Sequence, residues 1–262
     1  MAIKNLITNK TKIIELKNKA CTFNDIGIAN DVFCFWNNWY KFHDKWYYFK
    51  KIMDEKYFSS ELRILNELIG EYLAKYLDID TIHYDLAKLN NNYGLASENF
   101  IKKDSKYCFL NDINVPYNSY NTRNILLLHR ECKNFDNYQK LVSEIFKQVA
   151  IDIYMNQTDR SYSNLQFRIT NGELHLAPLY DFEESFRDPF NDEYRSNLLG
   201  LSIDDIKDYH ELTDILNRLL ELNIINVIDK ISEEKNIIIS SQNKEYYKGF
   251  VEDRKMLLKS VF

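Results

Sequence analysis

The stretch from about residue 136 to 182 constrains the fold more than any other. It begins with the segment NYQKLVSEIFKQVAIDIYMNQ, in which Leu141, Val142, Ile145, Phe146, Val149 and Ile153 recur at three- and four-residue spacing. That period places them on one face of a buried helix. It runs into a polar loop, NQTDRSYSN, and then LQFRI and LHLAP flank TNGE. An Asn-Gly pair between alternating apolar runs is a strong hairpin signal, because both central residues of its tight turn need positive φ. With the turn centred on Asn171 and Gly172, antiparallel pairing sets Asn164 opposite Leu179, which leaves Asn164 and Asp181 at one open end. Asp159 precedes Asn164 by five positions in the same loop. Local geometry alone therefore gathers Asp159, Asn164 and Asp181. An Asp and an Asn that share a hard cation, beside a second Asp able to accept a proton, are equipment for magnesium-dependent phosphoryl transfer.

The rest of the chain reads as one folded unit. Its 262 residues, 45% hydrophobic and 15% aromatic, suffice for a sizeable core. With only 3 prolines and 6 glycines there is no linker-like stretch and no internal repeat. A formal net charge of −5 removes any global basic field for nucleic acid or anionic membrane. The four cysteines form no CxxC pair and the five histidines no HxxxH spacing, which argues against zinc and for reduced thiols. Lysines and asparagines interrupt the N-terminus too often for a signal-peptide core, and no run is long enough to span a bilayer. A cytoplasmic protein without direct nucleic-acid or membrane binding is expected.

The first hundred residues read differently from the remainder. VFCFWNNWYKFHDKWYYFKKI, residues 32 to 52, is dense in aromatic and β-branched residues with breaks at NN and HDK, and predicts two or three antiparallel strands. Its aromatics Phe33, Phe35, Trp36, Trp39, Tyr40, Trp46, Tyr47 and Tyr48 are read as core packing rather than an interface. A helix over 60–77 follows, striped by Leu62, Leu65, Leu68, Ile69, Tyr72, Leu73 and Tyr76, with Ser59 or Ser60 as its cap. TIHYDLAKL and YGLASENFI return to strand-like text, and the chain beyond about residue 203 reads as helices. The expectation is an α+β fold of two lobes: residues 1–102 as an antiparallel sheet with one main helix, and 103–262 as a larger helical lobe.

A phosphotransferase also needs a cation for its nucleotide's phosphates. YYFKK places Lys50 and Lys51 at the end of a strand, where alternation turns only one inward. Lys50 is chosen because Tyr48 shares its face. A helix carboxylate would hold that lysine. On the helical wheel Glu61 lies nearer the apolar stripe, while Glu67 lies nearly opposite its centre, beside Gly70 and Ala74; a solvated face is the simpler reading of that position, and the small neighbours would let a second surface approach it.

At these residues the chain resembles the HipA-like serine/threonine kinases, bacterial enzymes of two-lobed kinase-like fold, several of them toxins of toxin-antitoxin pairs. NELIGEYLAKYLDI is similar to the Asn-Glu helix of that family and favours Glu67. QTDRSYSN resembles its catalytic loop, with Asp159 as catalytic base and Asn164 as magnesium ligand, and LAPLYDFEESF its metal-binding segment, with Asp181 as the other ligand. The resemblance implies ATP and Mg2+ as cofactors, Lys50 paired with Glu67, a hinge for adenine near Glu98 and Phe100, and Gly27 of NDIGIAND in the phosphate-covering loop. It further implies a protein substrate such as a translation component, and an antitoxin partner. Ser161 stands where the family usually has histidine, and Ala29 and Asp31 where its phosphate loop tends to have Gln and Lys.

Two other readings share these residues. One is a small-molecule kinase of aminoglycoside type, for which the acidic run DFEESFRDPFNDE would attract a cationic substrate unless it is only a solvated flank. The other is a nucleotide-binding pseudokinase acting as a binding module.

Overall fold

The computed structural model of the protein describes residues 2–16, 39–54, 58–100, 106–108, 133, 135–157, 160, 166–188 and 208–259. A five-stranded sheet is built from β1 (Ile14–Leu16), β2 (Trp39–Phe42), β3 (Lys45–Lys51), β4 (Tyr84–Leu89) and β5 (Asn92–Glu98), in spatial order β1-β4-β5-β3-β2. β2–β3, β3–β5 and β4–β5 pair antiparallel, as the alternation predicts, with Trp39 opposite Tyr48 and Lys50 opposite Leu95. β1 pairs parallel to β4, Ile14 opposite Ala87. The sequence does not announce β1, because three residues are too few to display a period of two.

Alternation along β3 sorts its side chains to two faces. Phe49 joins Ile14, Leu16, Ala87 and Ala96 in a small apolar cluster, against which Tyr40 and Tyr47 pack. Tyr48 and Lys50 face the other way. Trp39 is buried, in accord with core packing, whereas Phe33, Phe35 and Trp36 lie outside the described residues.

α1 (Ser60–Tyr76) starts where Ser59 accepts a hydrogen bond from the Leu62 N–H at 3.3 Å, and Asp54 accepts from the N–H and hydroxyl of Ser60. Ile64, Leu65, Leu68, Ile69 and Leu73 are buried in one large cluster, which continues through Leu86 and Leu95 of the sheet into the helical part of the chain. That part contains α2 (Tyr138–Met155), the hairpin β7 (Phe167–Thr170) and β8 (Glu173–Leu176), and α3 (His210–Leu220), α4 (Ile224–Lys235) and α5 (Ser241–Lys259). β6 (Lys106–Cys108) completes a three-stranded sheet by pairing with β7. No helix among the described residues is long and apolar enough to cross a membrane.

The hairpin forms in the register read from its turn. Phe167 pairs with Leu176 and Thr170 with Glu173, while Asn171 and Gly172 both take positive φ, 54° and 85°. A hydrogen bond of 2.9 Å from the Ala177 N–H to the Gln166 carbonyl carries the same register one step further. The chain leaving β8 is then tied beneath the five-stranded sheet. Leu179 donates to the Asp80 carbonyl at 2.9 Å and accepts from the Ile82 N–H at 3.0 Å. This tether brings residues 180–182 alongside α1 and β3.

Candidate active site

Lys50 is the centre of the site. Its ammonium donates to Glu67 Oε1 at 2.5 Å and to Asp181 Oδ1, and Glu183 Oε1 stands 3.6 Å away. Lys51 is exposed, as the period of the strand requires. Glu67 is fully buried, and its second oxygen accepts the Phe182 N–H at 3.0 Å. Glu61 is occupied elsewhere, by Asn5 at 3.0 Å and Asn243 at 3.3 Å.

The helical wheel puts Glu67 away from the apolar stripe, and Gly70 explains how it is nevertheless buried. A Cβ at Gly70 would lie 2.3 Å from the Phe182 ring. The helix therefore has two covered sides, one apolar and one fitted to Phe182, and Glu67 belongs to the second.

Residues 180–182 are gripped through three consecutive main-chain groups. Arg160 Nη1 donates to the Tyr180 carbonyl at 2.6 Å, Gln157 Nε2 to the Asp181 carbonyl at 2.5 Å, and Glu67 receives the Phe182 N–H. These bonds hold Asp181 in the left-handed region, φ 67°, a conformation with a cost for any residue but glycine. The Arg160 guanidinium lies 4.8 Å from the Phe182 ring centroid and pairs with Asp152 at 3.0 Å, both side chains fully buried. Burial would drive charge off Arg160, but Asp152 more than offsets it.

Charges in the site support one another in the same way. Burial by itself lowers the Lys50 pKa, yet Glu67, Asp181 and Glu183 outweigh it and hold the ammonium well above its ordinary value. Burial would raise the Asp181 carboxyl, and Lys50 reverses this and brings it below the usual range. For Glu67 the balance tips the other way: burial exceeds the pull of Lys50, and its pKa is raised.

Beside this cluster opens a narrow apolar slot, lined by Trp39, Tyr48, Lys50, Ile82, Tyr84, Ser97, Phe100 and Tyr180. Its walls come from one face of the sheet, where Trp39, Tyr48, Ser97 and Tyr84 pair in a row across β2, β3, β5 and β4, and from the segment tied under the sheet. Burial raises the phenol pKa of both Tyr84 and Tyr180, so each stays protonated. A mostly apolar recess with a few convergent charged groups at one end is the form of a small-molecule site.

Two solved structures share this architecture. The Helicobacter pylori proinflammatory kinase CtkA is 12% identical, with a TM-score of 0.55 over 85% of this chain and 91% of that one. HipA of Shewanella oneidensis MR-1, in complex with HipB and operator DNA, is 12% identical, with a TM-score of 0.56 over 82% of this chain and 58% of that one. The fold is that of the HipA-like kinases. At such identity the likeness concerns the fold alone. No family model and no curated relative matches the sequence.

In this kinase-like fold the residues singled out from the sequence divide into three groups. Lys50, Glu67 and Asp181 converge, and Phe100 lines the slot. The Glu98 side chain does not: alternation on β5 turns Ser97 inward and Glu98 outward, where it pairs with Lys45 at 2.7 Å, about half exposed. Gly27, Asp159 and Asn164 lie outside the described residues. Among the described residues no three His, Cys, Asp or Glu side chains form a metal cluster.

Of the acidic run, residues 181–188 are described and 189–193 lie outside the described residues. Glu183 pairs with Arg63 at 2.9 Å and Glu184 with Arg63 at 2.8 Å and also with Arg187. These two carboxylates are neither an open acidic pocket nor a solvated flank. Arg63, Asn66, Gln157 and Arg160 escape sequence reading, because each acts on a main-chain group or acid more than twenty positions away or across a loop. Adjacency to Glu67 and Asp159 is the one local signal that Asn66 and Arg160 carry.

Proposed function

We propose that the protein is an ATP- and magnesium-dependent protein kinase of the cytoplasm that phosphorylates serine or threonine. The observation carrying this reading is the sharing of one buried lysine, Lys50, between a helix carboxylate and Asp181 at the inner end of an apolar slot. The residues present fit the cofactors. Lys50 is the only described ammonium in the slot and would bind the α- and β-phosphates, with Glu67 fixing its position. The slot, lined by Ser97 and Phe100 at the end of β5, would take the adenine. Asp181, kept ionised and held by its carbonyl, would be a magnesium ligand together with Asn164. Magnesium-bound ATP supplies the phosphoryl group and neutralises charge on it.

The chain's own residues do the rest. Asp159 would orient the substrate hydroxyl and take its proton, and the grip on residues 180–182 keeps Asp181 from drifting out of register. Positioning and charge neutralisation are the main contributions to this kind of catalysis. The HipA structure contains HipB. On that likeness a partner of antitoxin kind, and a toxin role, are proposed here too, with a translation component as target.

The test is transfer of labelled phosphate from ATP with magnesium, by the protein alone and with a cell lysate, beside Asp159→Ala and Asp181→Ala. The wild type labels protein and both variants lose at least a hundredfold. Equal labelling by all three refutes these roles.

A further inference from the structure

The last helix reaches the metal-binding segment through one amide. Tyr247 of α5 is fully buried, and its hydroxyl donates to Asn66 Oδ1 at 2.7 Å. The Nδ2 of Asn66, also fully buried, donates to the Glu183 carbonyl at 3.0 Å and to the Ser185 carbonyl at 2.7 Å. Both hydrogens of the amide nitrogen are used, and its oxygen is used as well. The next residue of α1, Glu67, takes the Phe182 N–H. Two neighbouring side chains of α1 thus hold one donor and two acceptors of residues 182–185. Tyr246 of α5 donates to the Phe186 carbonyl, and the Phe186 ring meets Tyr247 edge-on at 5.1 Å.

The orientation of Asn66 is what this arrangement depends on. A carboxamide presents an acceptor on one side and donors on the other, and nothing in its shape distinguishes them. Facing two carbonyls, the wrong orientation sets oxygen against oxygen. The two carbonyls select the right one, and the Tyr247 hydroxyl, 2.7 Å from Asn66 Oδ1 and 3.1 Å from the Leu62 carbonyl, reinforces it by donating to the amide oxygen at the shorter distance. We propose that Tyr247, acting through Asn66, is a positioning residue that holds the segment carrying Asp181 in its metal-binding conformation; this rests on the phosphotransferase reading above. Neither residue touches the slot or the Lys50 ammonium. Their effect passes to Asp181 through Phe182 and to Lys50 through Glu183, whose carboxylate lies 3.6 Å from it. Displacements of the order of 1 Å in a group that orients reacting atoms lower turnover by about a hundredfold, so a bond two residues from Asp181 is close enough to matter.

The experiment compares Tyr247→Phe, Asn66→Asp and Leu258→Ala with the wild type. Tyr247→Phe removes the donor, and Asn66→Asp keeps the shape while replacing the donors. Leu258, buried in α5, reports a loss of core packing alone. Amide hydrogen exchange of Phe182, Ser185 and Phe186 is measured relative to the amides of α2. It rises about tenfold in the first two variants and stays level in Leu258→Ala. In phosphate transfer, the half-saturating magnesium concentration rises about tenfold in the same two variants, with kcat at saturating magnesium much less affected. Unchanged relative exchange overturns the proposal, and so does faster exchange with an unchanged magnesium requirement. A wild type that transfers no phosphate sinks the phosphotransferase reading instead, and the exchange ratios then decide by themselves whether Tyr247 positions the segment.

Discussion

Two buried glutamates stand one helical turn apart on α1 and are treated in opposite ways. Glu71 is supplied with more partners than it needs: Lys75 and the ring of His83 at 2.5 Å each, and the Tyr84 N–H at 3.0 Å, with Lys235 nearby. Burial would raise its pKa, but these partners together bring it down to about 2. Glu67, fully buried, shares its one ammonium with Asp181 and keeps a raised pKa because burial prevails. The first carboxylate fastens α1 to β4 and α4. The second shares its one ammonium with Asp181 at the edge of the slot and ties Lys50 to the Phe182 main chain.

Lysine substitutions break the comparison most sharply. Lys50→Met strands Glu67 and Asp181 without their cation, and destabilisation of about 3–5 kcal/mol in chemical denaturation is expected, with phosphate transfer lost. Next comes acid. A carboxyl whose folded pKa lies below its unfolded value stabilises the protein above that unfolded value, and the contribution disappears as pH falls toward the folded one. For Glu71 the window runs from about 4.5 down to about 2. Over it the wild type loses about 3 kcal/mol from this group, and Glu71→Gln flattens that limb of the stability profile. A wild-type profile unaltered by the substitution would remove Glu71 from the account.

Gly70→Ala tests the covered side that Glu67 occupies. The added methyl meets the Phe182 ring, and about 1–3 kcal/mol of destabilisation is expected together with weaker nucleotide binding by thermal shift. Smallest is Lys75→Ala. Lys75 is half exposed and Glu71 retains its other partners, so a change below about 1 kcal/mol and undiminished phosphate transfer are expected.

The parts of the molecule legible in the sequence are those whose signals are local. The α2 stripe, the Asn171–Gly172 turn and its register, the alternation that turns Lys50 inward and the Ser59 cap all follow from neighbours within a few residues. β1 was not legible, being three residues of a parallel pairing to a strand some seventy positions later. Glu67 shows the boundary well: the helical wheel by itself leaned toward Glu61, and only the family resemblance pointed to Glu67. The physical reason is the Phe182 ring against Gly70, a contact between segments more than a hundred residues apart. Glu98 shows a different limit: strand alternation turns its side chain outward, away from the slot that Ser97 and Phe100 line.

The continuous apolar cluster around α1 has a further consequence. In a phosphotransferase the helix bearing the lysine's partner is a natural throttle, since swinging it away would disable the pair. Here Ile64, Leu65, Leu68, Ile69 and Leu73 root that helix among α2 and the C-terminal helices, so withdrawing it would mean dismantling the interior. On the phosphotransferase reading proposed above, restraint would act on the supply of the protein or on its cleft rather than on this helix.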